Sequence, residues 1–164
     1  MKHLFFSSLL TAGLALGLAG CDDNALSTGN GSVDAYASPP EISLEWMTDY
    51  RSALEASRES GNPVLINFTG SDWCPPCIQM KNDVLETAAF HEFADDNLVL
   101  LELDFPRTKP QEPEVASQNR ELAQTYNIQA YPTFVVVDEE GNEIRRTVGY
   151  LRGGPQAFIT WIED

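Results

Sequence analysis

Five consecutive residues, Trp73-Cys74-Pro75-Pro76-Cys77, constrain this chain more than any other stretch. The apolar run Val64 to Phe68 precedes them, and apolar residues at helical spacing begin at Ile78. The two cysteines are therefore expected at the leading end of a helix fed by a buried strand. At such an end, unpaired backbone N–H groups and the helix dipole favour a thiolate over a thiol. Two thiols three positions apart can also close into a disulfide. Pro75 and Pro76 fit the first helical positions, where a missing N–H costs little, and they stiffen the loop presenting the sulfurs. Together these features describe a redox switch.

Metal binding is the competing use of a C-x-x-C pair. A structural zinc site wants four ligands, and the candidates are Cys21, Cys74, Cys77, His3 and His91. Cys21 and His3 belong to the leader region described next and drop out of that count. His91 has no partner identifiable in sequence and reads as a surface or cap residue. A soft Cu(I) site of Cys74, Cys77 and Met80 is a second alternative, although Met80 at that spacing reads first as core filling. No cofactor is assigned.

The chain opens with Met1-Lys2-His3 and an apolar run from Leu4 to Ala19, which reads as an export signal because it is short for a membrane span. Its exit, Leu18-Ala19-Gly20-Cys21, resembles the lipobox of bacterial lipoproteins. That resemblance implies cleavage before Cys21, acylation of its thiol and commonly of its new amino group, and firm anchoring by several acyl chains. The alternative is an ordinary export signal with a cysteine beside it. Asp22 and Asp23 follow, and an aspartate directly after the lipidated cysteine resembles an inner-membrane retention signal, which implies the periplasmic face of that membrane. Loss of residues 1–20 would lower the net charge from −15 to −16. So acidic a surface argues against nucleic acid or an anionic lipid surface as a docking partner.

Residues 22–40 are rich in Gly, Ser, Asn, Ala and Pro and read as a tether of roughly 25 Å mean reach. The expected organisation is a signal peptide over 1–20, a lipidated cysteine and tether over 21–40, and one folded domain over 41–164, long enough for a single core. Ser43 is expected to cap a helix from Leu44 to Glu59, stopped by Gly61-Asn62-Pro63. Val64 to Phe68 forms a central strand. Ile78, Met80, Val84, Leu85 and Ala88 make the buried side of the next helix, with a loop over His91 to Asn97. Leu98 to Leu103 is a strand, and Glu114 to Tyr126 a helix with Val115, Leu122 and Tyr126 on one face and Asn119, Arg120, Glu121 and Gln124 in water. Thr133 to Asp138 and Asn142 to Val148 form a hairpin across Glu139-Glu140-Gly141, and Gly154 to Asp164 an amphipathic helix.

This order, with Trp73-Cys74-Pro75-Pro76-Cys77 and Tyr131-Pro132-Thr133, resembles the thioredoxins, especially exported, membrane-tethered bacterial members. The resemblance covers roughly residues 41–164 and implies an α/β three-layer sandwich, a central mixed sheet of about four strands flanked by helices. Proline tolerates a strand's first position, so Pro132 alone would read as trans; the resemblance implies a cis bond beside the active disulfide. It further implies that Cys74 is the exposed attacking thiol and Cys77 the more buried resolving thiol. Trp73 would cover the disulfide, and the Tyr131 backbone would receive an extended substrate segment. Lys81 would lend a positive field or merely solvate its helix.

Two departures from the family pattern stand out. Asn67 occupies the place of a buried carboxylate and can hydrogen-bond but cannot carry a proton away. The usual lysine of the neighbouring strand is missing at its expected place, Leu100 or Leu101. The resemblance implies thiol–disulfide exchange on exported protein thiols or disulfides, in the reducing direction and with electrons from a membrane redox protein. Thiol oxidation or isomerisation, and the Cu(I) metallochaperone, remain the alternatives.

Overall fold

The computed structural model describes residues 44–164. Cys21, Ser43, the leader and the tether lie outside the described residues. The first helix, α1 (Tyr50–Ser60), starts where the Asp49 side chain accepts the Ser52 N–H at 2.7 Å and ends at Gly61, whose φ of 78° suits glycine. It begins later than expected. Residues 44–49 run extended, and Met47 bridges the sheet edge through Met47 N–H to Leu100 O and Glu102 N–H to Met47 O, both 2.9 Å. Leu44 and Trp46 pack into one core and Met47 into the other, a period of two that excludes a helix.

β1 (Val64–Thr69) is buried along its whole length. Helix α2 (Pro75–Met80) continues as a π-helical turn, Lys81–Leu85. The expected loop over His91 to Asn97 is instead most of helix α3 (Ala88–Asn97), capped by Thr87 Oγ1 accepting the Phe90 N–H at 3.3 Å. Phe90 and Ala94, one turn apart, anchor it in the core. There follow β2 (Val99–Asp104), α4 (Pro113–Thr125), β3 (Thr133–Val137), β4 (Glu143–Val148) and α5 (Gly154–Glu163). Among these residues no helix is long and apolar enough to cross a membrane.

The sheet order is β2-β1-β3-β4. β1 runs parallel to β2, with Val64 opposite Val99 and Asn67 opposite Glu102, and antiparallel to β3, with Phe68 opposite Thr133. β3 and β4 form the expected hairpin, with an irregularity at Val136/Val137. Alternation along β1 splits the interior into two cores. Leu65 faces Met80, Val84, Leu85, Phe90, Phe134 and α5, while Val64, Ile66 and Phe68 face α1 and α4. The result is the three-layer mixed-sheet sandwich expected. Each fully buried Val, Leu, Ile or Phe contributes roughly 1.5–3 kcal/mol before chain entropy is charged against it.

Three side chains lie elsewhere than expected. Ile78 is 42% exposed because it lies two positions before the buried Met80, on the other side of the turn, and Ala88 is exposed as the first residue of α3, beyond the stripe of Met80, Val84 and Leu85. Asn119 is buried, and its Nδ2 donates to the Asp104 carbonyl at 2.9 Å, tying α4 to the end of β2.

Candidate active site

The site forms where β1 delivers the chain into α2. Cys74 is the helix N-cap, its N–H bonded to Gly70 O at 3.0 Å and its carbonyl accepting the Cys77 and Ile78 N–H groups at 3.0 and 3.1 Å. Pro75 and Pro76 occupy the first turn, as their lack of an N–H dictates. Cys74 and Cys77 are joined in a disulfide, with 5.3 Å between their Cα atoms. Exposure does not distinguish them: Cys74 is 2% and Cys77 4% accessible, contrary to an exposed attacking sulfur. Closure of the bond sets each sulfur against the other and removes surface from both.

Trp73 is held on several sides. Its Nε1–H donates to Phe105 O at 2.7 Å, its ring meets Tyr131 edge-on at 5.7 Å, and the Arg107 guanidinium lies 3.7 Å from its centroid. Arg107 is positioned by Asp72, whose carboxylate accepts the N–H groups of Arg107, Thr108 and Lys109 and the Thr108 hydroxyl. Those donors, the Thr108 hydroxyl first, hold the Asp72 carboxyl well below the usual range. Ser71 donates to Asp104 through N–H and Oγ at 2.8 and 2.6 Å, a second tie between the active-site loop and the end of β2.

Because β1 and β3 are antiparallel, the start of β3 lies beside the end of β1, so Tyr131-Pro132-Thr133 arrives at the same end of the sheet as the cysteines. The Tyr131–Pro132 bond is cis, as the resemblance implied. Pro132 O accepts the Gly149 N–H at 2.8 Å and Thr133 Oγ1 donates to Ala130 O at 2.8 Å, whereas the Tyr131 backbone has no main-chain partner among the described residues. Burial pushes the Tyr131 phenol up. Met80 is fully buried in the α2–α3–α5 core. Lys81 is paired with Glu86 at 3.4 Å, and both are more than half exposed.

Behind the disulfide, Asn67 is buried, and its Oδ1 has no hydrogen-bond partner among the described residues. The residue facing it on β2 is Glu102, not Leu100 or Leu101, so an acid stands where sequence comparison looked for a lysine. Strand register explains the difference: Leu101 points into the other core, Leu100 shares the Asn67 face but sits opposite Leu65, and Glu102 is the residue opposite Asn67. Burial first, then the Asp104 charge, push the Glu102 carboxyl up, while Lys81 and Lys109 pull it back. Sequence reading missed Glu102 and the Asp72 clamp. An acidic residue inside an otherwise apolar strand was the available signal for Glu102.

Residues 50–164 match the family model of the thioredoxin-like domain. Disulfide bond reductase DsbH of Chlamydia pneumoniae is 36% identical over 121 residues, covering 74% of this chain and 72% of that protein. Thioredoxin-related protein DsbJ of the same organism is 31% identical over 115 residues, covering 70% of this chain and 33% of that protein. The solved structure of a DsbH oxidoreductase superposes with a TM-score of 0.70 at 32% identity, covering 79% of this chain and 90% of that one.

Proposed function

We propose, from the premise that this chain belongs to the thioredoxin-like family and is a thiol–disulfide oxidoreductase, that it reduces disulfides of exported proteins while tethered to the membrane. The observation that carries the chemistry is the Cys74–Cys77 disulfide at the head of α2, at the end of the sheet where Tyr131–Pro132 also lies. In the reduced protein, Cys74 Sγ, favoured as thiolate by the helical run from Pro75 to Leu85, attacks one sulfur of a substrate disulfide. The substrate's other sulfur leaves as a thiolate. Cys77 loses its proton and attacks Cys74 Sγ, which releases the second substrate thiolate and closes the Cys74–Cys77 bond. The substrate has gained two electrons, and a membrane redox protein restores the dithiol. Trp73 and the open Tyr131 backbone would hold the substrate segment in line for these attacks.

The reducing direction is supported by similarity to a protein named disulfide bond reductase. Lipidation at Cys21 after removal of residues 1–20, a tether over 21–40 and a catalytic domain over 41–164 complete the proposal, supported by Leu18-Ala19-Gly20-Cys21 and the aspartates after it. These features support the periplasmic face of the inner membrane as its location. The test of direction is the equilibrium potential of Cys74–Cys77 against a glutathione or dithiol buffer. A value below roughly −200 mV is expected, and one well above it would assign oxidation instead.

A further inference from the structure

Cys77 is buried, so the thiol that must be deprotonated in the resolving step has almost no direct contact with bulk solvent. A cavity of about 80 Å³ lies behind it, walled by Cys77, Asn67, Lys81 and Glu102 among others. This exceeds the roughly 10–15 Å³ that one water needs, so solvent can bridge Cys77 to Glu102. A second, larger and more open cavity, about 320 Å³, is walled by Trp46, Glu86 and His91 among others. Glu102 and Lys81 belong to both.

We propose that Glu102 takes the Cys77 proton through the inner cavity and passes it to solvent through the outer one, which makes it a positioning residue for the resolving attack. The step balances: the Cys77 S–H proton goes to the Glu102 carboxylate, the Cys77 electron pair forms the bond to Cys74 Sγ, and the substrate sulfur leaves with the electrons of the broken bond. Asn67 cannot accept that proton as a carboxylate does, and its unpartnered Oδ1 serves only as an acceptor along the path. Asp104, the other nearby carboxylate, is held by two hydrogen bonds from Ser71.

The groups facing Glu102 set its proton affinity. Burial first, and then Asp104 on its own strand, strengthen it; Lys81 from the π-helical turn and Lys109 from the segment after β2 weaken it. Glu86 and His91 stand across the outer cavity, and Cys77 across the inner one. The net upward displacement narrows the gap between carboxyl and thiol, which favours proton transfer. The inference rests on exchange by Cys74 and Cys77, and it holds for either cellular direction.

Stopped-flow reaction of the reduced chain, carrying Cys21→Ser, with dithiobisnitrobenzoate separates the two halves. The first phase reports Cys74 forming the mixed disulfide, and the second reports Cys77 displacing the second thionitrobenzoate. Glu102→Gln should slow the second phase about tenfold or more at neutral pH, remove its carboxyl inflection from the pH profile and leave the first phase unchanged. Glu102→Asp should retain the inflection at a displaced pH, and Glu92→Gln, on the exposed face of α3, should match the parent. A second phase with the parent's rate and profile in Glu102→Gln, or an equal change in Glu92→Gln, overturns the relay. Loss of both phases in the parent would overturn the exchange chemistry itself.

Discussion

Substituting Gly70 by alanine perturbs the Trp73 platform without touching a cysteine. A Cβ at Gly70 falls 2.5 Å from Trp73 Cε2, 2.7 Å from Nε1 and 2.8 Å from Cζ2, where ordinary contact begins at 3.4 Å. Gly70 does not have a left-handed φ, so the cost is contact with the indole rather than backbone strain. The ring must retreat by about 1 Å, which strains the bond to Phe105 O and the contacts with Arg107 and Tyr131. A neutral hydrogen bond contributes about 1 kcal/mol, an exposed cation–π contact about 0.5–1 and an aromatic pair about 0.5–1.5. Complete loss would cost about 2–3.5 kcal/mol, and partial retreat about 2 kcal/mol. The assay is urea denaturation of the oxidised protein, run as a double-mutant cycle with Trp73→Ala. In the Trp73→Ala background the added methyl meets no ring, so Gly70→Ala should cost less than about 0.5 kcal/mol there, a coupling of about 1.5 kcal/mol. Additive costs would refute the reasoning, and so would a Gly70→Ala protein of parental stability.

Because donors depress the Asp72 carboxyl, its contribution is present above the ordinary carboxyl range and lost as pH falls below about 4. Asp72→Asn should therefore flatten the acid limb of stability against pH, measured as the urea midpoint. Glu102 has the opposite sign: its raised carboxyl favours the folded state at low pH and costs stability as pH rises through its titration. Glu102→Gln in the oxidised protein should match the parent in acid and exceed it near neutrality. Tyr126→Phe removes a hydroxyl that bonds to Gly141 O at 2.9 Å and meets Tyr50 Oη at 2.7 Å, and should cost about 1–2 kcal/mol by thermal or urea denaturation.

The parts legible in sequence were those where one local signal dominates. The five residues Val64 to Phe68, with no alternation and flanked by Pro63 and the Thr69 to Asp72 turn, could be little else than a central strand. The Glu139-Glu140-Gly141 turn announced the β3–β4 hairpin, and the residues of α4 and α5 were placed to within a residue or two. Where reading failed, tertiary pairing decided. Leu44 to Asp49 carries helix-compatible spacing, but Met47 gains two main-chain bonds to the edge of β2 and Asp49 is the better cap. Helix α3 was hidden because Asp95-Asp96-Asn97 reads as a loop, while Thr87 and the Phe90/Ala94 pair carry the helix. Of the site, the cysteines, the prolines and Trp73 were plain, but Glu102 emerged only from strand register, which fixes who faces Asn67.

Trapping a mixed disulfide with an oxidised peptide substrate tests the central assignment most directly. With Cys77→Ser, the account predicts a stoichiometric adduct whose substrate sulfur is bonded to Cys74, located by peptide mass, and no turnover. With Cys74→Ser it predicts neither adduct nor turnover. An adduct formed through Cys77, or continued reduction by the Cys74→Ser protein, would contradict it.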